Sequence, residues 1–102
     1  MKNLEKVIEL IDKRIAIAKK DLDNAYSDME YDRAIGAKHE LEDLLDEVKK
    51  SKNVSEVIQL IKNRIAIAEK DAENSYSDLE YDRAFGAKHD LEELLLDVEK
   101  LN

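Results

Sequence analysis

The chain repeats itself at a spacing of 50 residues, and this repeat restricts its fold more than any other feature. Aligning residues 2–50 with residues 52–100 gives 32 identities over 49 positions without a gap. The differences cluster at polar positions, such as Lys6/Glu56 and Lys19/Glu69. A fold that uses one supersecondary unit twice is the usual outcome of such a duplication. We therefore predict two repeats, residues 1–50 and 51–102, that together form one small domain.

Apolar residues recur in each repeat with the spacing of a helix. In the first repeat they alternate at intervals of four and three: Leu4, Ile8, Ile11, Ile15, Ala18, Leu22, Ala25 and Met29. This pattern predicts one helical seam, and the absence of proline permits a long helix. Extending the seam would bury the unpaired carboxylates of Asp32 and Asp43, which costs several kcal/mol each. The chain is therefore expected to turn near residues 24–28.

A second apolar seam follows the expected turn: Ala34, Ala37, Leu41, Leu44 and Val48, with Leu45 beside it. Ser27 with Glu30 fits a capping box that would open this second helix, and Ser77 with Glu80 repeats it. Asn53 with Glu56 would open a third helix after the linker at residues 50–52. Each repeat is thus predicted to be an antiparallel helical hairpin.

Two hairpins predict an all-α, four-helix bundle with internal pseudo-two-fold symmetry. The first helix carries a second apolar stripe, and packing of the two hairpins would cover it: Val7, Leu10 and Ile17, repeated by Val57, Leu60 and Ile67. Equivalent surfaces would also allow a homodimer or an exchange of hairpins between two chains, and this alternative stays open.

The expected turn also predicts a register, in which residue i of the first helix lies beside about residue 54 − i of the second. Ala18 then faces Gly36, and Arg14 lies near His39 and Glu40. Glycine inside a helix costs about 1 kcal/mol relative to alanine. We interpret Gly36 and Gly86 as places of close helix approach, or as room for a ligand.

Polar residues repeated around this register have two interpretations. They can be partly exposed ion pairs that fix the register, or they can form duplicated pockets for a nucleotide-like ligand, with tyrosine faces for a ring and cationic donors for a phosphate. The candidate ligand-binding residues are Arg14, Tyr26, Tyr31, Arg33, Lys38 and His39, with Arg64, Tyr76, Tyr81, Arg83, Lys88 and His89.

The sequence lacks the motifs of most catalytic and cofactor-binding sites. The chain has no cysteine, and each glycine is isolated, so neither a thiolate site nor a glycine-rich phosphate loop is expected. His39 has carboxylates three and four residues later, which makes a metal-binding bundle a lesser alternative. We predict no enzyme activity, no catalytic residues, no bound metal and no cofactor.

The net charge of −8 disfavours binding to nucleic acid. No apolar run is long enough to suggest a membrane span or a secretory signal. The lack of cysteine fits a cytoplasmic location.

The stretch EYDRAIGAKHELEDLL at residues 30–45, repeated at residues 80–95, resembles the second helix of small helical-hairpin proteins from phages and prophages of Gram-positive bacteria. The resemblance implies a viral or mobile-element accessory protein without catalytic activity, acting in the host cytoplasm and countering a host defence. The favoured expectation is therefore an inhibitor or other interaction protein that binds another protein. The alternative is a protein that sequesters a small, nucleotide-like ligand.

Overall fold

The computed structural model describes residues 2–101, which form four helices and no strand. The helices are α1 (Lys2–Asp23), α2 (Asp28–Val48), α3 (Val54–Glu73) and α4 (Asp78–Glu99). The predicted all-α fold of two tandem hairpins in a four-helix bundle is confirmed. The outer ends of the predicted repeats, Met1 and Asn102, lie outside the described residues.

The predicted caps set the helix boundaries. Ser27 Oγ accepts a hydrogen bond from the Glu30 backbone N–H at 3.1 Å, and Glu30 Oε1 accepts one from the Tyr26 N–H at 2.9 Å. The same pair of bonds recurs at the start of α4. Asn53 Oδ1 accepts from the Glu56 N–H at 2.9 Å. These bonds satisfy backbone donors that the first turn of a helix leaves free, so the turns fall where the sequence predicts them.

One apolar core holds the two hairpins together at the end we call the base, where α1 and α3 begin and α2 and α4 end. An Asn3 Nδ2 to Leu101 O hydrogen bond of 3.2 Å joins the two hairpins at this end. Leu41, Leu44 and Val48 of the second seam are buried, as predicted. The core consists of Val7, Ile11, Ile15, Leu41, Leu44, Val48, Val54, Val57, Ile61, Leu91, Leu94 and Val98.

The opposite end of the bundle, which we call the tips, comprises residues 17–37 and 67–87 with the two hairpin turns. Most of its buried residues are small, since Ala18, Ala34, Ala37, Ala68, Gly86 and Ala87 fill the space between helices. Ile17 and Ile67 stay 57% and 61% exposed, so the prediction that hairpin packing covers the whole second stripe is wrong at these positions. The stripe is covered only at the base, where Val7 and Val57 are fully buried.

Direct contact between α2 and α4 explains the two glycines. A Cβ added to Gly36 would lie 2.7 Å from the Arg83 Cα, and one added to Gly86 would lie 2.7 Å from the Arg33 Cα. Real Cβ atoms do not approach backbone this closely, so only glycine permits the contact. The glycines therefore serve close helix approach, as predicted, but between hairpins rather than between α1 and α2.

We expect Gly36→Ala to destabilise the protein by about 1–3 kcal/mol because the methyl group meets the backbone of α4, which cannot rotate away. Lys13→Ala, at an exposed site of α1, is the matched control. Urea unfolding followed by circular dichroism measures both. If Gly36→Ala instead stabilises the protein, as helix propensity alone would dictate, the close contact is not real.

Leu41→Asp places an unpaired carboxylate in the base core, where Leu41 is fully buried. We expect a loss of about 4 kcal/mol or more, or failure to fold. Leu96→Asp is the same substitution at a residue that is 62% exposed, and its melting temperature should stay close to that of the parent. Equal melting of the two variants would contradict the assignment of the core.

Candidate functional site

Two open grooves lie between the hairpins near the tips, one for each repeat. Groove 1 has a volume of about 660 Å³ and is lined by Ala18, Asp21, Asn24, Ala25, Tyr26, Glu30, Arg33, Ala34, Ala37, Phe85, Gly86, His89 and Asp90. Groove 2 has a volume of about 490 Å³ and is lined by Gly36, His39, Glu40, Asp43, Ile67, Ala68, Asp71, Asn74, Ser75, Tyr76, Leu79, Glu80, Arg83, Ala84 and Ala87. Each groove thus draws its walls from both hairpins.

Half of the predicted ligand-binding residues line these grooves, in a different grouping from the one predicted. Tyr26 and Arg33 line groove 1 together with His89, which belongs to the other repeat. Tyr76, Arg83 and His39 line groove 2. The predicted register grouped residues of the same hairpin, in two sites or in one shared site, but the contact of α2 with α4 brings each histidine to the groove of the opposite repeat.

Arg14 and Arg64 lie outside the lining and bridge the hairpins. Arg14 Nη1 lies 3.4 Å from Asp90 Oδ1 and 3.1 Å from Glu93 Oε1, and its Nη2 lies 3.6 Å from Asp97 Oδ2. Its predicted ion-pair partner on α2 is therefore wrong, since its carboxylate partners are on α4. Arg64 forms the corresponding ion pairs with Glu40 and Glu47 of α2.

The four other predicted residues that do not line a groove lie on α2 and α4, at or near the protein surface. Lys38 pairs with Glu42 at 3.3 Å, and Lys88 pairs with Glu92 at 3.5 Å, each one turn away on the same helix. Tyr31 and Tyr81 are partly exposed on α2 and α4. Exposed pairs of this kind contribute about 0–1 kcal/mol each.

A reciprocal pair of ion pairs surrounds the glycine contact. Arg33 Nε lies 3.2 Å from Asp82 Oδ1, and Arg83 Nε lies 3.6 Å from Asp32 Oδ1. Asp32, which we predicted to lie outside the apolar seam, is only 8% exposed. Its burial is tolerated because Arg83 of the opposite hairpin lies beside its carboxylate. The predicted register, with residue i beside residue 54 − i, would place Asp21 beside Arg33; this expectation is wrong, because Arg33 pairs with Asp82 of α4.

Two side chains that line groove 1, Phe85 and His89, belong to an aromatic column that has no counterpart among the residues lining groove 2. The rings of Tyr81 and Phe85 are 6.0 Å apart, and those of Phe85 and His89 are 6.1 Å apart. The Arg33 guanidinium lies over Phe85 at 4.1 Å, within the range of a cation–π interaction. Ile35 occupies the position in repeat 1 that Phe85 occupies in repeat 2, so the two grooves are related but not identical.

Carboxylates outnumber arginines in the lining of both grooves, although the predicted set of ligand-binding residues contains no carboxylate. Asp21, Glu30 and Asp90 line groove 1 against one arginine. Groove 2 has four carboxylates against one arginine: Glu40, Asp43, Asp71 and Glu80. The available signal was the identity of Asp21 with Asp71 and of Glu30 with Glu80 in the two repeats. A groove of this charge favours a cation over a phosphate.

Burial and neighbouring charges shift the pKa values of two groups in the bridging ion pairs, Asp90 and Arg64. Burial raises the pKa of the Asp90 carboxyl above its ordinary value; Arg14 and His89 oppose this shift, while Glu93 and Asp21 add to it. For Arg64, burial alone would lower the pKa, but hydrogen bonds with Glu40 and Glu47 outweigh it and leave the pKa raised. Arg14 is shared by three carboxylates and Arg64 by two, so Asp90 has less compensating positive charge than Glu40 at the equivalent position.

One group of side chains has the spacing of a cation site. Ligand atoms of His89, Asp90 and Glu93 lie within 4.8 Å of one another. Arg14 already binds Asp90 and Glu93, so a guanidinium supplies the positive charge that a metal ion would bring. The lesser alternative of a metal at His39, Glu42 and Asp43 meets a similar obstacle, because Glu42 binds Lys38.

Comparisons with known proteins do not assign the site. No family model, curated protein or solved structure matches the chain. Among residues 2–101, no helix combines the length and apolar character required to span a bilayer.

We expect Asp90, the partner of Arg14, and Glu40, the partner of Arg64, to have opposite effects on stability at pH 7. Because the pKa of Asp90 is raised in the folded state, the native protein holds a proton that the unfolded chain has already lost. As pH rises above 3.8, the ordinary pKa of this carboxyl, Asp90 therefore lowers the stability of the protein. We expect Asp90→Asn to be at least as stable as the parent at pH 7, whereas Glu40→Gln, which breaks a close ion pair, should destabilise. Urea unfolding at pH 7 and at pH 4.5 measures this; the advantage of Asp90→Asn should shrink at the lower pH. A loss at pH 7 as large as that of Glu40→Gln would contradict the difference.

Proposed function

We propose that this chain is a non-catalytic interaction protein that binds another protein through its tips. One observation carries the proposal: large apolar side chains are exposed almost entirely at the tips, whereas the base buries its own. The exposed set at the tips is Ile17, Tyr26, Met29, Tyr31, Ile67, Tyr76, Leu79 and Tyr81. Leu96 is the one large apolar side chain of comparable exposure at the base among the described residues.

The chemistry of the exposed residues suits a protein interface. Tyr26 and Tyr76 are 94% and 97% exposed and stand at the ends of the two hairpins. A tyrosine offers a large, rigid surface at a low cost in side-chain entropy, and tyrosine is enriched among the residues that dominate binding energy. With a net charge of −8 and carboxylates around both grooves, the favoured partner is a protein with a basic surface.

The non-catalytic part of the proposal is supported by the use of the chemical groups at the tips. The Ser27 and Ser77 hydroxyls are taken up by the caps, and His39 and His89 are exposed. The role of an inhibitor encoded by a mobile element, and a location in the host cytoplasm, rest on the resemblance at residues 30–45 and on the lack of cysteine.

Binding of a small, nucleotide-like ligand is the second candidate. Tyr26, Arg33 and His89 do share groove 1, as such a site would require. However, Arg33 is already paired with Asp82, and the remaining charges of the groove repel a phosphate. Protein binding is therefore the better supported function.

We expect the double variant Tyr26→Ser/Tyr76→Ser to keep the stability of the parent, because both rings are exposed, and to lose the bound partner. Leu96→Ser removes a comparable exposed apolar side chain at the base and is the control. Each protein is immobilised, and proteins crosslinked to it from a Gram-positive bacterial lysate are quantified by mass spectrometry. Support requires a protein that is captured by the parent and by Leu96→Ser but lost with the double variant. If every captured protein is retained by the double variant, the tips are not the binding surface.

A further inference from the structure

Groove 1 has an unbalanced negative charge on two facing walls. Asp21 on α1 and Asp90 on α4 both line it, and they belong to different hairpins. They are close enough for the charge of Asp21 to raise the pKa of Asp90. In the part of the chain that the structure describes, Asp21 forms no ion pair, and Arg14 is shared by three carboxylates, Asp90, Glu93 and Asp97.

The remaining charged groups of groove 1 do not restore the balance. Arg33 is neutralised by Asp82 at 3.2 Å. His89 is exposed, and its Nε2 lies 3.8 Å from Glu93 Oε2, so even its charged form has a carboxylate at hand. Glu30 accepts hydrogen bonds from Tyr26 and Ser27 and adds a further negative charge. A cation that enters the groove is therefore attracted by Asp21, which has no ion pair among the described residues, and by Asp90, which shares the Arg14 guanidinium with two other carboxylates.

Apolar groups beside these carboxylates suit the stem of a long basic side chain. Ala18, Ala25 and the Tyr26 ring line the same groove. Arginine combines an aliphatic stem with a planar fork of donors that can serve two carboxylates at once and can stack on an aromatic ring. Lysine offers a single, strongly hydrated point charge and uses this geometry less well.

We propose that groove 1 is a docking site for an arginine side chain of a basic protein partner, with the guanidinium between Asp21 and Asp90 and the stem against Tyr26. This inference names the contact by which the proposed interaction protein recognises its partner, and it rests on that proposed function. A second copy of this chain is a poor occupant, because two chains of net charge −8 repel each other.

Groove 2 provides an internal comparison. Its equivalent carboxylates are Asp71 and Glu40, and Glu40 forms a close ion pair with Arg64, which has only one further carboxylate partner, Glu47. Glu40 therefore shares its arginine with fewer carboxylates than Asp90 does, and Ile35 replaces the aromatic Phe85. Although groove 2 has one more lining carboxylate, the Phe85 ring and the less well paired Asp90 make groove 1 the better fit for an arginine side chain.

The test uses a single arginine in place of the partner. Nα-acetyl-arginine methylamide is titrated into the ¹⁵N-labelled full chain, and binding is measured from the changes in backbone amide chemical shifts. Nα-acetyl-citrulline methylamide, which has a similar shape and no charge, is the ligand control. We expect saturable shifts at Asp21, Asn24, Ala25 and Asp90 with the arginine compound only. Asp21→Asn should weaken binding about fivefold, the scale of a partly exposed ion pair, whereas Asp71→Asn should leave the groove 1 affinity unchanged.

Several outcomes would overturn the inference. Equal shifts with the citrulline compound, equal effects of Asp21→Asn and Asp71→Asn, or no shifts in groove 1 would each remove arginine recognition. Saturable binding of AMP at the same amides would make the groove an anion site. Because this test needs no partner, its failure can be distinguished from failure of the capture experiment. If the arginine compound binds but no tip-dependent partner is captured, the arginine site is supported and the proposed protein interaction is refuted.

Discussion

The direct contact of α2 with α4 at Gly36 and Gly86 is the constraint on which the other features depend. With no side chain between the two helices at this point, they form a tight central pair, and α1 and α3 pack on its flanks. Near the tips, the buried residues between the helices are mostly alanine and glycine. The core is therefore confined to the base, and both the grooves and the exposed apolar residues follow from this confinement.

The duplication makes this arrangement reciprocal. Arg33 and Arg83 each pair with an aspartate of the opposite helix, and Arg14 and Arg64 each reach across to the second helix of the other hairpin. Such partly exposed pairs add little to stability. Their main effect is to link the two hairpins directly, because each of these arginines reaches a carboxylate of the opposite hairpin.

The stabilising core and the proposed recognition surface lie at opposite ends of the bundle. The base buries large aliphatic residues from all four helices and supplies most of the hydrophobic free energy. The tips contain small buried residues and exposed tyrosines, which contribute less to the fold and which we propose as the surface for a partner. The repeats have also diverged where this matters, since Asp90 and Phe85 in one copy correspond to Glu40 and Ile35 in the other.

The sequence by itself determined the helices, their caps, the turns and the base core, because periodicity and capping are local and act within a few residues. It also indicated that each glycine marks a close approach. It did not determine which helix approaches: Arg14 has chemically equivalent carboxylates in both repeats, at Glu40 and at Asp90. Only the packing of α2 against α4 decides between them, since that choice depends on contacts between residues about 50 positions apart. For the same reason the grooves, which join side chains of both hairpins, were decided by the tertiary structure alone.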